Sequence, residues 1–288
     1  MTENSIILYK LDQLIAILSR MAPPTPIPIE GKKADCFIWN PNRFSADPVE
    51  KVNRIDISLI SGVDNVRDIL LRNTRCFAKG LPANNALLWG ARGMGKSSLI
   101  KATQALINKQ EKNILSLKLV EIHREDIHTL PILINELKKN KYRFILFCDD
   151  LSFECEDTSY KSLKTILDGS IEGFPSNVLF YATSNRKHLI PQDMIENERS
   201  TAISPSEAIE EKNSLSDRFG LWLGFHPCSQ NDYLIMVENY ARYYHLREQI
   251  EKLHKDALEW AATRGCRSGR VAWQFIQDMA GRLGENLD

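Results

Sequence analysis

The sequence predicts an α/β protein: a parallel sheet with helices on both faces, followed by a small all-helical unit. Three observations carry this. The runs ALLWG (86–90), FILFCDD (144–150) and NVLFYATSN (177–185) are short and apolar almost throughout, as strands covered on both faces are. Segments of helical period alternate with these runs, which implies parallel strands joined by right-handed crossovers. Beyond LWLGFH (221–226), read as a last strand, every segment has helical period.

The elements follow in order. Ile7, Leu8, Leu11, Leu14, Ile15 and Leu18 share one face, so residues 1–21 read as an amphipathic helix. Lys10 and Asp12 interrupt it and no small-residue cleavage site follows, which argues against a signal peptide. The prolines of APPTPIPI (22–29) cannot continue a helix and make an extended linker or strap. Residues 1–50 are therefore set apart as an N-terminal helix and Pro-rich arm. The α/β unit is expected over 51–226, with helices at 61–77, 96–109, 127–139 and 160–167 and a further strand in ILSLKLVEI (114–122). Residues 190–216, rich in Glu, Ser and Asn, read as a long loop. Residues 227–288 hold three helices, on Tyr233-Met236-Val237-Tyr240-Tyr244, Ile250-Leu253-Ala257-Leu258-Ala261 and Val271-Phe275-Ile276-Met279. They read as a lid, with Tyr233, Tyr240, Tyr243 and Tyr244 in its core.

Composition excludes more than it selects. Lys plus Arg and Asp plus Glu are 37 each among 288 residues, so no global field draws the chain to nucleic acid or an anionic surface. The six cysteines (36, 76, 148, 155, 228, 266) form no CxxC pair, which argues against a disulfide framework or zinc site and for a reducing, cytoplasmic compartment. No apolar run is long enough to span a membrane.

The chemistry is concentrated in GARGMGKSS (90–98). Gly90, Gly95, Lys96 and Ser97 occupy every fixed position of G-x-x-x-x-G-K-[ST], between a buried strand and a helix. Glycines let successive N–H groups of Gly90, Arg92, Gly93, Met94 and Gly95 turn inward, and the following helix, entered through Ser98, offers its positive end to phosphate. Lys96 then reaches the β- and γ-phosphates and Ser97 ligates Mg²⁺. Asp149 closes the FILFC strand, where a carboxylate can hold the Mg²⁺ hydration shell. Asp150 can orient or deprotonate attacking water, and Glu154 is a second candidate base. Asn185 ends a neighbouring strand, where its amide can hold the same water; Thr183 and Ser184 are near enough to share that task. Arg218, in SLSDRFG, can stabilise transition-state charge on a neighbouring subunit, or simply bridge to Asp217. Arg270 starts the last predicted helix, where a cation opposes the helix dipole unless an anion is close. Arg267 competes with it.

With these residues in place the chain resembles the AAA+ superfamily of ring-forming ATPases, and more closely the bacterial family DUF815. The matching stretches are NTRCFAKGLPANNALLWGARGMGKSSLIKA, FILFCDDLSFE, YKSLKTILDGSIEGFPSNVLFYATSNRKHLI, LSDRFGLWLGFHP and RSGRVAWQF. The resemblance implies a P-loop fold with a five-stranded sheet of order 5-1-4-3-2 and a C-terminal helical lid. It makes 90–97 the Walker A motif, Asp149-Asp150 the Walker B motif, Asn185 sensor 1, Arg218 the arginine finger and Arg270 sensor 2. Ile60, Gly62 and Val63 fall in the stretch that packs on adenine. The implied cofactors are ATP or ADP and Mg²⁺, and the implied state is a homo-oligomer, ring or open, acting on a protein partner. Most superfamily members carry Asp-Glu where this chain has Asp-Asp, so a slow nucleotide-gated switch or loader, binding protein or DNA, stands beside the remodelling ATPase. A small-molecule kinase is a third reading, less well served by the lid.

Overall fold

A computed structural model describes residues 7, 9–14, 26–112, 114–153, 159–169, 173–187, 189 and 215–287. Residues 9–14 are helical and exposed. The strands are β1 (Cys36–Asn40), β2 (Ser45–Pro48), β3 (Ala86–Gly90), β4 (Lys118–Glu121), β5 (Phe144–Cys148), β6 (Val178–Ser184) and β7 (Leu221–Phe225). The helices are α1 (Asp64–Ala78), α2 (Lys96–Gln110), α3 (Leu130–Lys138), α4 (Ser159–Asp168), α5 (Gln230–Tyr243), α6 (Ile250–Thr263) and α7 (Gly269–Leu283).

The expected five-stranded parallel sheet is corrected. Among the described residues the sheet has seven strands in the order β2-β1-β4-β5-β6-β3-β7. It is mixed, because β1 and β2 form an antiparallel hairpin while every other neighbouring pair is parallel. The two extra strands come from residues 36–48, which the sequence reading leaves in the arm. They join the sheet because β1 buries Cys36, Phe37 and Trp39 and extends β4 at its edge. Asp35 fixes that edge: its carboxylate accepts from Ser116 Oγ at 2.5 Å and Lys118 Nζ at 2.8 Å.

Strand alternation divides the core between the two faces. On one face Leu88, Ile145, Phe147 and Tyr181 pack with α1, α2 and the C-terminal helices. On the other Leu87, Leu146, Phe180 and Ala182 pack with α3 and α4. The two-residue period places neighbours on opposite sides, so these strands read as continuous apolar runs. Phe144, Phe147 and Phe180 are fully buried, each contributing about 1.5–3 kcal/mol of transfer free energy.

Three element boundaries shift for local reasons. The first long helix starts at Asp64, because residues 57–59 form a separate 3-10 turn and Gly62 takes φ +79° between the two. The 114–122 strand shortens to Lys118–Glu121. Asp149 and Asp150 leave β5 altogether, Asp150 with a left-handed φ of 51°. Burial pushes the Cys36 and Cys228 thiols up to about 11, so neither is a ready nucleophile. No described helix is long and apolar enough to cross a membrane.

Candidate functional site

The site begins where β3 runs into α2. Gly90 has φ +124°, Gly93 +73° and Gly95 +88°, a region open to glycine without steric penalty. Gly95 is the N-cap of α2 and supplies no side-chain cap to the first N–H groups of that helix, an arrangement suited to an anion. Lys96 folds back into this turn. Its Nζ donates to Gly90 O at 2.8 Å, Ala91 O at 2.9 Å and Asn185 Oδ1 at 3.1 Å. Burial lowers its pKa from the ordinary lysine value, against the raising effect of Asp150 and Asp149; Arg92 and Arg270 add to the lowering.

The strand order brings the acids to this turn. β6 lies between β5 and β3, so Asp149 and Asn185 reach the turn after β3 from sequence positions 52 and 89 residues away from their partners. Ser97 Oγ donates to Asp149 Oδ1 at 2.5 Å, which places the two expected Mg²⁺ groups together. Asn185 Nδ2 donates to Asp150 Oδ1 at 2.6 Å. A cavity of about 660 Å³ opens here, lined by Arg92, Gly93, Met94, Gly95, Lys96, Ser97 and Ser98 below, and by Asp149, Asp150 and Asn185 at one side. That volume lies in the range of small-molecule and cofactor sites.

Residues of α5 and α7 complete the lining of the cavity. Ser268 caps α7, its Oγ accepting from Val271 N at 3.3 Å. The N–H of Arg270 donates to Gly93 O at 3.0 Å, so the start of α7 rests on the backbone of the glycine-rich turn. Arg270 lines the cavity and Arg267 does not. Neither Arg92 nor Arg270 forms a salt bridge among the described residues, so two cations face the cavity without a carboxylate of their own.

A family model described as "Protein of unknown function (DUF815)" matches residues 32–283. The chain belongs to the DUF815 family. No curated protein matches it. Among solved structures, a variant of RuvB from Thermotoga maritima is similar with a TM-score of 0.51 at 15% identity, over 80% of this chain and 66% of that one. The ORC1 protein of Aeropyrum pernix, in complex with DNA, has a TM-score of 0.54 at 14% identity, over 77% of this chain and 61% of that one. The DUF815 chain thus spans less than two thirds of the length of either structure. At such identities the likeness is one of fold, the α/β fold of AAA+ P-loop ATPases.

Other expected residues fall elsewhere in this DUF815 member. Ile60 lines the cavity, but Val63 is buried in the core, and Gly62 backs onto Met236, whose Cε lies 3.7 Å from where a Cβ would be. Gly90 does not line the cavity; its carbonyl accepts from Lys96. Arg218 is not on the cavity. Its guanidinium instead grips Asp168, the last residue of α4, with Nε–Oδ1 2.6 Å and Nη2–Oδ2 3.1 Å; the bridge expected with Asp217 gives way to this one. Glu154 lies outside the described residues.

The DUF815 cavity also contains side chains the sequence reading missed. Tyr240, read as lid core, lines it with Met236 and Trp273; Asn53 and Ile55 also line it. Tyr240 and Trp273 have ring centroids 5.4 Å apart. An aromatic stripe at helical spacing reads as core until two helices converge on a cavity, so no sequence signal separates these residues from their neighbours. Trp273 is the one tryptophan of five that lines the cavity. Adding nucleotide is expected to change intrinsic fluorescence in the wild type and to lose most of that change in Trp273→Phe. An unchanged signal in the variant would place the base away from Trp273.

Proposed function

We propose that this chain is a Mg²⁺-dependent ATPase whose catalytic centre is completed by self-association and whose lid movement acts on a protein partner. The observation that carries it is the meeting of Lys96, Ser97, Asp149, Asp150 and Asn185 in one cavity that Arg270 and Trp273 also line. The residues fit the group. The uncapped α2 N-terminus, Lys96, Arg92 and Arg270 would hold the phosphates of ATP or ADP, and Ser97 with Asp149 would hold Mg²⁺. Bound there, Mg²⁺ would supply charge neutralisation on the phosphates. Asp150 orients or deprotonates water, and Asn185, bonded to both Lys96 and Asp150, keeps that acid and the phosphate-binding lysine in register.

Arg218 supplies the association step. In one chain it is tied to Asp168, away from the cavity. Activity in trans therefore requires a neighbouring copy to receive it. The test is ATP turnover against protein concentration, with mass measured on the same samples. Turnover per chain is expected to rise with assembly, and Arg218→Ala to lower it by about a hundredfold or more while leaving nucleotide affinity nearly unchanged. Turnover that ignores both concentration and Arg218 would sink this part of the reading.

A switch or loader is favoured by one feature, the short Asp150 where a longer acid is usual, held in left-handed backbone. In that reading the lid contact between Arg270 and Gly93 reports the nucleotide, and hydrolysis only resets it. Tight ATP binding with turnover below about one per minute, unaffected by assembly, would select it. The partner is inferred to be protein, in a cytoplasmic setting. DNA is bound in the ORC1 structure, but equal numbers of acidic and basic residues give this chain no overall attraction to it.

A further inference from the structure

The tip of β5 is tied down by a single residue of β6. Thr183 is 1% exposed. Its Oγ1 donates to Asp149 Oδ1 at 2.5 Å and accepts from the Asp150 N–H at 3.0 Å. Its carbonyl accepts from the Leu151 N–H at 2.7 Å. Three consecutive residues are thus bound to one threonine, across the point where the chain leaves the strand and Asp150 turns left-handed.

A hydroxyl has one proton, and this one is given to Asp149. Thr183 is therefore not free to donate to water or phosphate, which removes it from the role shared with Asn185 in the sequence reading. We propose that Thr183 is a positioning residue that sets Asp149 for the divalent cation and fixes the backbone of Asp150. The inference rests on the proposed function and adds a residue outside the P-loop and acid motifs.

The geometry gives the reason. Asp149 Oδ1 accepts from both Ser97 and Thr183, so the carboxylate is pinned by one oxygen from two sides while Oδ2 takes no part in either bond. When Ser97 turns to a cation, Thr183 is what still holds Asp149 in place. Without the hydroxyl, Asp149 would be drawn toward the charge of Lys96, and the partly buried Asp150 N–H would lose its acceptor.

The test compares full-length wild type, Thr183→Val and Thr183→Ser. Valine keeps the shape and removes the hydroxyl; serine keeps the hydroxyl. The readouts are melting temperature, ATP affinity with EDTA and with Mg²⁺, Mn²⁺ affinity of the ATP complex by electron paramagnetic resonance, and kcat against KM. Thr183→Val is expected to bind ATP in EDTA like the wild type, to lose about tenfold or more in Mn²⁺ affinity, and to fall in kcat more than it rises in KM. Thr183→Ser is expected to recover all but about threefold of both. If Thr183→Val does not fold, Thr183→Cys, of similar volume and with only a weak donor, serves in its place. Normal metal affinity in the valine or cysteine variant, or an equal loss in the serine variant, overturns the role of Thr183 alone. A wild-type chain that binds ATP equally with and without metal overturns the functional reading together with it.

Discussion

Lys96→Ala is expected to weaken ATP and ADP binding by about 10- to 150-fold and to leave the fold intact. The lysine is 8% exposed and directs its three donors to Gly90 O, Ala91 O and Asn185 Oδ1. A phosphate oxygen in the cavity exchanges one of those neutral acceptors for a charged one, and a hydrogen bond to a charged group contributes about 1.5–3 kcal/mol. In the free chain the loss is smaller. Water entering the space left by the side chain can bond to the carbonyls, and burial of the ammonium charge is itself unfavourable. A shift of only a few degrees in melting temperature is expected beside the large loss in affinity measured by titration calorimetry. Retention of affinity within about threefold would mean that the phosphates are held by the α2 N-terminus and Arg92 or Arg270, and that Lys96 serves the P-loop conformation alone.

Gly90→Ala is expected to be the most destabilising single substitution in the P-loop. Two penalties coincide there. Gly90 has φ +124°, and a Cβ would fall on Phe225 O, with Phe225 C at 2.9 Å and N at 3.0 Å. Those atoms are backbone of β7, whose register with β3 is set by Gly90 facing Phe225, so no side chain can swing aside. Strain and overpacking together come to about 3–5 kcal/mol, or roughly 6–20 °C in melting temperature for a chain of this size. Gly265→Ala is the control. Gly265 has φ +66° and nothing within 4 Å of an added methyl group, so only the conformational penalty applies, about 1 kcal/mol. Equal melting temperatures for the two variants would show that β7 yields to Gly90 without loss of pairing.

The two substitutions mark different kinds of information. GARGMGKS is contiguous, and its glycine positions, its lysine and the helix that follows are all readable as sequence because the turn is built from adjacent residues. Asp149, Asp150 and Asn185 were readable one step less directly, as polar residues at the ends of apolar strands. Their convergence on Lys96 and Ser97 depends on β6 lying between β5 and β3. Arg218 shows where that reasoning stops. Asp217 is its sequence neighbour, yet the guanidinium pairs with Asp168, fifty residues away. The choice follows from α4 ending beside the turn before β7, which no local pattern records.

The α/β class, the glycine-rich turn between β3 and α2 and the run of C-terminal helices are legible in the sequence alone. Strand alternation, glycine at positive φ and helical period are properties of a few consecutive residues. Tertiary structure alone decided that residues 36–48 extend the sheet, that Tyr240 and Trp273 face a cavity while Val63 does not, and that Thr183 holds both acids. Each of these depends on which surfaces meet. A short edge strand, an aromatic helix face and a buried hydroxyl each have several satisfactory partners as sequence, and only packing selects one.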